Sequence, residues 1–172
     1  MAIELEMSSD RKLLQVLSGL NEENARKACI VAGKRAATAA RAAGSRQIRS
    51  IYTMKAADVK AKARIKGTGD GAVIEIRGTT EPVEKYKVQK RKSGVFVAVK
   101  RGGMKKVERG FTIGTKFVAR VGRERFPVKG LYGPSIPQLY GNPDVMKTME
   151  ERGSEVFDER LEHEIAFRLG KA

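Results

Sequence analysis

A stripe of small residues restricts how this chain folds more than any other feature. Small side chains recur at three- and four-residue steps from residue 25 to residue 43, the spacing of one face of an α-helix. The stripe comprises Ala25, Ala28, Cys29, Ala32, Ala36, Ala39, Ala40 and Ala43. Because each of these side chains buries little apolar area, we expect the helix to lie close against a sheet or a partner helix. Gly44 and Ser45 are expected to end or kink it.

A second long helix is predicted at the C-terminal end. Asn142 is a typical N-cap, Pro143 takes the first helical position, and Asp144 lies in the first turn. Apolar residues then follow at helical spacing, and acidic residues occupy the remaining faces. The apolar positions are Val145, Met149, Val156, Phe157, Leu161, Ile165 and Leu169.

Alternating residues between the two helices predict strands. Residues 59–66 alternate strictly and predict a half-buried strand with Lys60, Lys62, Arg64 and Lys66 on its outer face. The Asp-Gly pair in the turn after it predicts a hairpin, because this dipeptide favours tight turns.

The partner strand of that hairpin is residues 72–77, and further strands are predicted at 94–100 and 115–121. Residues 84–92 are expected to be a ragged loop or arm, and residues 104–114 an irregular connection.

The fold class that follows is α+β. It has a long N-terminal Ala-rich helix, a four- to five-stranded, mostly antiparallel sheet and a C-terminal amphipathic helix. Residues 1–20 are predicted to form a short helix or arm, and residues 21–172 a single domain.

The charge is large and unevenly distributed. The chain has 35 Lys and Arg against 20 Asp and Glu, for a net charge of +15. Residues 1–130 carry +18 and the remainder carries −3. A basic body suits nucleic acid, an anionic membrane or an acidic protein. The aromatic residues are dispersed and lack a known RNA-binding pattern, so the nucleic-acid alternative is a module that contacts phosphates without base readout. Its candidate phosphate contacts are Lys60, Lys62, Arg64 and Lys66.

The residues that catalysis needs are scarce. One histidine, His163, and one cysteine, Cys29, cannot supply a His/Cys zinc site. The glycines at 67, 69 and 71 lack the Gly-Lys-Ser/Thr of a phosphate-binding loop. We therefore predict no enzymatic activity, cofactor, metal or small-molecule substrate. No apolar run is long enough to cross a membrane, and the first residues lack the pattern of a signal peptide. We therefore expect the protein to be made and used in a cytoplasm, or to be assembled from there.

The segment from residue 123 to residue 138 differs from the rest of the chain in its proline and glycine residues. Pro127, Pro134 and Pro137 each fix φ, and Gly133 supplies conformational freedom beside them. The segment is therefore expected to be a stiff connector from the sheet to the last helix.

The same segment resembles the sequence pattern R-x-P-[IV]-x-x-L-Y-G-P-S-[IV]-P-Q of the prophage minor tail protein Z family of long-tailed phages. Weaker similarity extends over about residues 20–170, whereas residues 78–92 do not clearly match the family's sequence pattern. The matching residues are Arg125, Pro127, Val128, Leu131, Tyr132, Gly133, Pro134, Ser135, Ile136, Pro137 and Gln138.

This resemblance implies a non-enzymatic, structural virion component that acts in tail completion at the head-proximal end of the tail and in head–tail joining. The implied location is the virion tail, reached by assembly in the host bacterial cytoplasm. The implied partners are further copies of the chain in a ring and other tail or neck proteins, with non-specific contact to phage DNA. Within this frame, the acidic face of the last helix is expected to meet a basic surface of a neighbour through Glu151, Glu155, Glu159 and Glu162.

Overall fold

The computed structural model describes residues 22–170, so the short helix or arm predicted over residues 1–20 lies outside the described residues. They form helices and small antiparallel sheets, which confirms the α+β class and the order of the two long helices. The strands are more numerous than predicted and form several sheets. The helices are α1 (Glu22–Ile51), α2 (Ala56–Ala61), α3 (Ile136–Tyr140) and α4 (Pro143–Leu169), with a short 3-10 helix at Val83–Lys85. The strands are β1 (Ala63–Gly67), β2 (Ala72–Ile76), β3 (Thr80–Pro82), β4 (Lys87–Arg91), β5 (Gly94–Ala98), β6 (Lys105–Lys106), β7 (Gly110–Ile113), β8 (Lys116–Arg120), β9 (Val128–Gly130) and β10 (Tyr132–Ser135).

Helices α1 and α4 pack against each other in antiparallel directions along the small-residue stripe. Near the start of α1, Ala28 and Ala32 pack against Leu161 and Ile165. Near its other end, a Cβ added at Gly44 would lie 2.5 Å from the Met149 sulfur. Helix α1 runs through Gly44 and Ser45 without ending. The prediction of a helix end there was wrong, because Gly44 allows the close approach of α4.

The main core lies where the C-terminal end of α1 meets the N-terminal end of α4. Ile48 of α1, Ile76 of β2 and Ile136 of α3 are fully buried in it, together with Leu139 and Tyr140. The β1–β2 hairpin also packs on α1, where a Cβ at Gly33 would lie 3.1 Å from the Gly71 Cα. The small residues of α1 therefore accept a helix on one side and a hairpin on another.

The predicted hairpin over residues 59–77 is only partly correct. Strands β1 and β2 pair in antiparallel register, with Ala63 opposite Ile76 and Gly67 opposite Ala72. Residues 56–61, however, form helix α2, in which Val59 is buried. Alternating Val, Lys and Ala residues fit either structure over so short a run, and packing of Val59 into the core favours the helix. Lys60 thus lies on a helix, and only Arg64 and Lys66 belong to the strand.

Two segments expected to be irregular form strands. In residues 84–92, β4 pairs with β5 from Lys87 opposite Ala98 to Arg91 opposite Gly94. In residues 104–114, β6 pairs with β5 and β7 pairs with β8. The two resulting sheets have the orders β4-β5-β6 and β7-β8-β9. Strand β4 carries few apolar residues, so its pairing with the apolar strand β5 is not visible as alternation in its own sequence.

Thr53, just beyond α1, attaches these sheets to the helices. Its hydroxyl donates to the Ala98 carbonyl at 2.5 Å and accepts from the Lys87 amide at 3.0 Å. The Arg101 amide donates to the Ile51 carbonyl at 2.8 Å. Thr53 does not cap the next helix, because the N-cap of α2 is Lys55. The hydroxyl instead joins the end of α1 to strands β4 and β5.

We predict that Gly44→Ala lowers the free energy of unfolding by about 1–3 kcal/mol, because the added methyl group overpacks a filled contact. The Met149 sulfur at 2.5 Å and the Tyr140 ring at 3.0 Å are both buried. The loss should outweigh the gain of about 1 kcal/mol in helix propensity. Urea unfolding followed by circular dichroism measures it.

A double-mutant cycle isolates the contact. Because Met149→Ala removes the clashing atoms, the cost of Gly44→Ala should shrink in that background. Thr38→Ala, at an exposed position of the same helix, is the control and should change the free energy by less than about 0.5 kcal/mol. An equal cost of Gly44→Ala in both backgrounds would contradict the packing account.

Candidate functional site

The segment that carries the family resemblance is built around the Tyr86 ring. A Cβ added at Gly133 would lie 2.5 Å from the Cε2 atom of this ring. The Tyr86 hydroxyl donates to the Pro134 carbonyl at 2.7 Å. Burial, and then the negative charge of Glu81, raise the pKa of Tyr86 above its ordinary value. Gly133 is therefore required for close packing, and Pro134 supplies the acceptor for a buried hydroxyl.

The following residues of the segment start helix α3. The Ser135 hydroxyl accepts from the Gln138 amide, and the Gln138 side chain accepts from the Ser135 amide at 2.8 Å. This reciprocal pair is a capping box. Ile136 and Pro137 are buried beneath it. The segment was expected to connect the sheet to the last helix, but Gly133 and Pro134 lie within strand β10, and α3 follows directly after it.

The beginning of the segment is more open. Arg125 lies over the Phe126 ring at 5.8 Å, and Phe126 is 67% exposed. Pro127 follows a cis peptide bond, and Val128 begins β9. Leu131 donates to Phe117 and accepts from Val83 through its backbone, whereas Tyr132 is 64% exposed. The segment thus has a buried second half and an exposed first half.

The four predicted interface glutamates lie on one face of α4. Glu151, Glu155, Glu159 and Glu162 follow at steps of four, four and three residues, and all are exposed. Glu155 pairs with Arg152 at 2.6 Å, and Glu151 lies 4.0 Å from Lys147. Within residues 22–170, Glu159 and Glu162 have no ion pair. We call these four residues the α4 acidic face.

The exposed side of α1 carries the opposite charge. Helix α1 has seven basic and two acidic residues, whereas α4 has four basic and eight acidic residues. Lys34, Arg35, Arg46 and Arg49 are exposed and form no ion pair with any described residue. We call these four residues the α1 basic face. Two antiparallel helices thus present oppositely charged outer faces of similar length.

The predicted phosphate contacts do not form one stripe. Lys66 lies 2.7 Å from the Glu75 carboxylate, and Arg77 pairs with the same carboxylate. The hydrogen bond from Lys66 lowers the pKa of Glu75. Arg64 is the cross-strand partner of Glu75. Lys60 and Lys62 lie at the end of α2, so the four cations are divided between two elements and a carboxylate offsets part of their charge.

A larger basic surface lies on the two three-stranded sheets. Residues 87–129, which we call the basic β unit, contain fourteen basic and two acidic residues. All fourteen basic side chains are exposed, and none forms an ion pair with the described residues. They are Lys87, Lys90, Arg91, Lys92, Lys100, Arg101, Lys105, Lys106, Arg109, Lys116, Arg120, Arg123, Arg125 and Lys129. Their density along the chain was a usable signal, but treating residues 84–92 as a loose arm concealed it.

The residues that could support catalysis are isolated. His163 is exposed on α4, and Cys29 is half-buried on α1. Burial and the negative charge of Asp70 raise the pKa of the Cys29 thiol. Within residues 22–170, no three His, Cys, Asp or Glu side chains lie close enough together to hold a metal ion. In the same range, no helix is long and apolar enough to cross a membrane.

Comparisons of the chain with models of protein families, with curated proteins and with solved structures gave no match.

Two tyrosines give a matched test of how the resemblance segment is held. We predict that Tyr86→Phe lowers the free energy of unfolding by about 1 kcal/mol, because the Pro134 carbonyl loses its donor. Tyr140→Phe should leave it unchanged or raise it. Burial raises the pKa of Tyr140 to about 12, and its hydroxyl has no hydrogen-bond partner among the described residues. Urea unfolding measures both variants, and a larger loss for Tyr140→Phe would contradict this account.

Proposed function

We propose that this chain is a structural component of a phage or prophage tail, which acts in tail completion at the head-proximal end of the tail and in joining the tail to the head. The observation that carries the proposal is the opposite charge of the α1 basic face and the α4 acidic face. The similarity of residues 125–138 to the minor tail protein Z family supplies the phage setting. The subunit works in the virion tail after assembly in the host bacterial cytoplasm.

Complementary faces on one chain favour repeated self-association. The α4 acidic face of one subunit meets the α1 basic face of the next, so two different surfaces are joined. Such heterologous contacts form a ring when the rotation between subunits closes. The near match between a helix of net charge +5 and one of net charge −4 supports this pairing. Other tail or neck proteins then bind the assembled ring.

The tail function is tested by removing the chain from a phage that encodes it. We expect the deletion to leave heads and tails unjoined, and purified protein added to the extract to restore joined particles. Negative-stain electron microscopy counts the two kinds of particle. Normal virions in the absence of the chain would overturn the tail proposal, whatever the purified protein does in solution.

Self-association is tested by reversing the acidic face. We predict that Glu155→Lys, Glu159→Lys and Glu162→Lys together weaken self-association at least about tenfold, since three pairs worth roughly 0.5–1 kcal/mol each become repulsive. Sedimentation velocity over a range of protein concentrations measures the effect. High salt should weaken the unchanged protein in the same direction.

A charge swap separates this contact from a loss of folding. Lys34→Glu, Arg35→Glu and Arg46→Glu should weaken association alone, and should restore it when combined with the three glutamate reversals. Circular dichroism checks that each variant is folded. Failure of the combined variant to recover, or full association of the glutamate-reversed protein, would show that these two faces do not meet.

A further inference from the structure

The basic β unit carries charge that the rest of the subunit does not balance. Residues 87–129 have a net charge of +12. The acidic residues of this unit are Glu108 and Glu124, and neither forms an ion pair with a described residue. Because like charges in one small region repel each other, so large an unpaired excess destabilises the free subunit. A binding partner of opposite charge removes that repulsion.

An acidic helix of a neighbouring subunit is too weakly charged for this role. Helix α4 carries eight acidic and four basic residues, so its net charge is −4. One such helix offsets a third of the charge of the basic β unit. Double-stranded nucleic acid carries about one negative charge per 1.7 Å of its axis, which is far denser. The charge therefore favours a polyphosphate over an acidic protein surface.

Two arginine side chains of the unit lie over aromatic rings. Arg91 lies over the Phe96 ring at 4.6 Å and Arg120 over the Phe111 ring at 5.1 Å. Stacking on a ring fixes the guanidinium plane and leaves N–H donors for an incoming oxygen. The two rings are half-buried and covered by their arginines, so they do not offer open platforms for unpaired bases. This arrangement suits the phosphates of a duplex.

Concavities also lie on the two sheets. Strand β5 lies beside β7, and the Val107 amide donates to the Val95 carbonyl at 2.9 Å. A groove of about 290 Å³ runs between the β4–β5 turn and β7, with Lys90 and Lys92 on one side and Phe111 on the other. A second depression, of about 700 Å³, is lined by the loop after β5 together with Lys105 and Lys106. Basic side chains thus line both concavities.

We propose that the basic β unit binds the phosphate backbone of double-stranded nucleic acid without base readout. The contacts are made by Lys90, Arg91 and Lys92 beside the groove and by Lys105 and Lys106 beside the second depression. This surface is distinct from residues 60–66, where Glu75 already pairs with Lys66. The inference does not rest on the tail proposal, because it concerns residues outside the two helical faces.

Fluorescence anisotropy with duplex DNA of about 24 base pairs tests the inference on the full chain. The unchanged protein should bind with a Kd near 1 µM in about 0.1 M salt, and the affinity should fall steeply with salt. Two unrelated DNA sequences should bind within about threefold of each other, since phosphates carry no sequence information. Absence of binding, or a strong preference for one sequence, would overturn the proposal.

A pair of matched variants locates the surface. Lys90→Gln, Lys92→Gln, Lys105→Gln and Lys106→Gln together should reduce affinity at least about tenfold and the salt slope by about three to four. The control removes four charges elsewhere, by Lys55→Gln, Lys60→Gln, Lys62→Gln and Arg64→Gln, and should retain most of the affinity. These eight side chains are exposed, so folding, checked by circular dichroism, should survive in both variants.

The remaining outcomes all count against the inference. Equal losses in the two variants would show that binding follows net charge and not this surface. A loss confined to the control would place the phosphate contacts on residues 60–66. Polyglutamate that competes as well as duplex DNA at equal charge would identify the basic β unit as a surface for acidic protein.

Discussion

The close approach of α1 and α4 is the contact on which the rest of the structure depends. Alanine and glycine on α1 bring the two helix axes close together, and the buried residues of α4 fill the space that remains. A larger side chain at Gly44 would meet Met149 and Tyr140 at once. Because interiors are packed as densely as organic crystals, that contact fixes how α1, α3 and α4 lie together. It also determines which sides of the two long helices face solvent, and those sides carry the opposite charges.

The attachment of the basic β unit depends on a few hydrogen bonds at the end of α1. Thr53 joins β4 and β5 through one hydroxyl, and the Arg101 side chain donates to the Arg49 carbonyl at 2.7 Å. Farther along, Glu84 accepts from the Phe117 amide at 2.9 Å. These bonds hold the two three-stranded sheets at the end of the helical pair. The basic β unit is therefore attached beside Arg49, at one end of the α1 basic face.

Prediction from the sequence succeeded for elements with a strong local pattern. It failed for strands that exist only because they pair with another strand. The α4 boundaries follow from Asn142, Pro143 and the apolar spacing, because these signals are local. Strand β4 exists because its backbone pairs with β5, and nothing local in Lys87–Arg91 requires that. Val59 was wrongly assigned to a strand, because so short an alternating run fits a helical turn as well as a strand. The prolines of the Gly-Pro-Ser segment are visible in the sequence, but the Tyr86 ring that explains Gly133 lies more than forty residues away.

The positions of the charged residues distinguish two kinds of surface, which the overall composition of the chain does not. The two long helices carry +5 and −4, so they nearly cancel, and their opposite faces are complementary to each other. The basic β unit carries +12 and has no such complement within the described residues. A small domain needs a net charge of only about 2–8 to remain soluble, so solubility does not account for fourteen exposed cations on two small sheets. Six of the fourteen are arginine, which presents a planar fork of donors suited to phosphate. The net charge of +15 is therefore largely a property of the basic β unit, which is the part of the chain that we propose to bind phosphate.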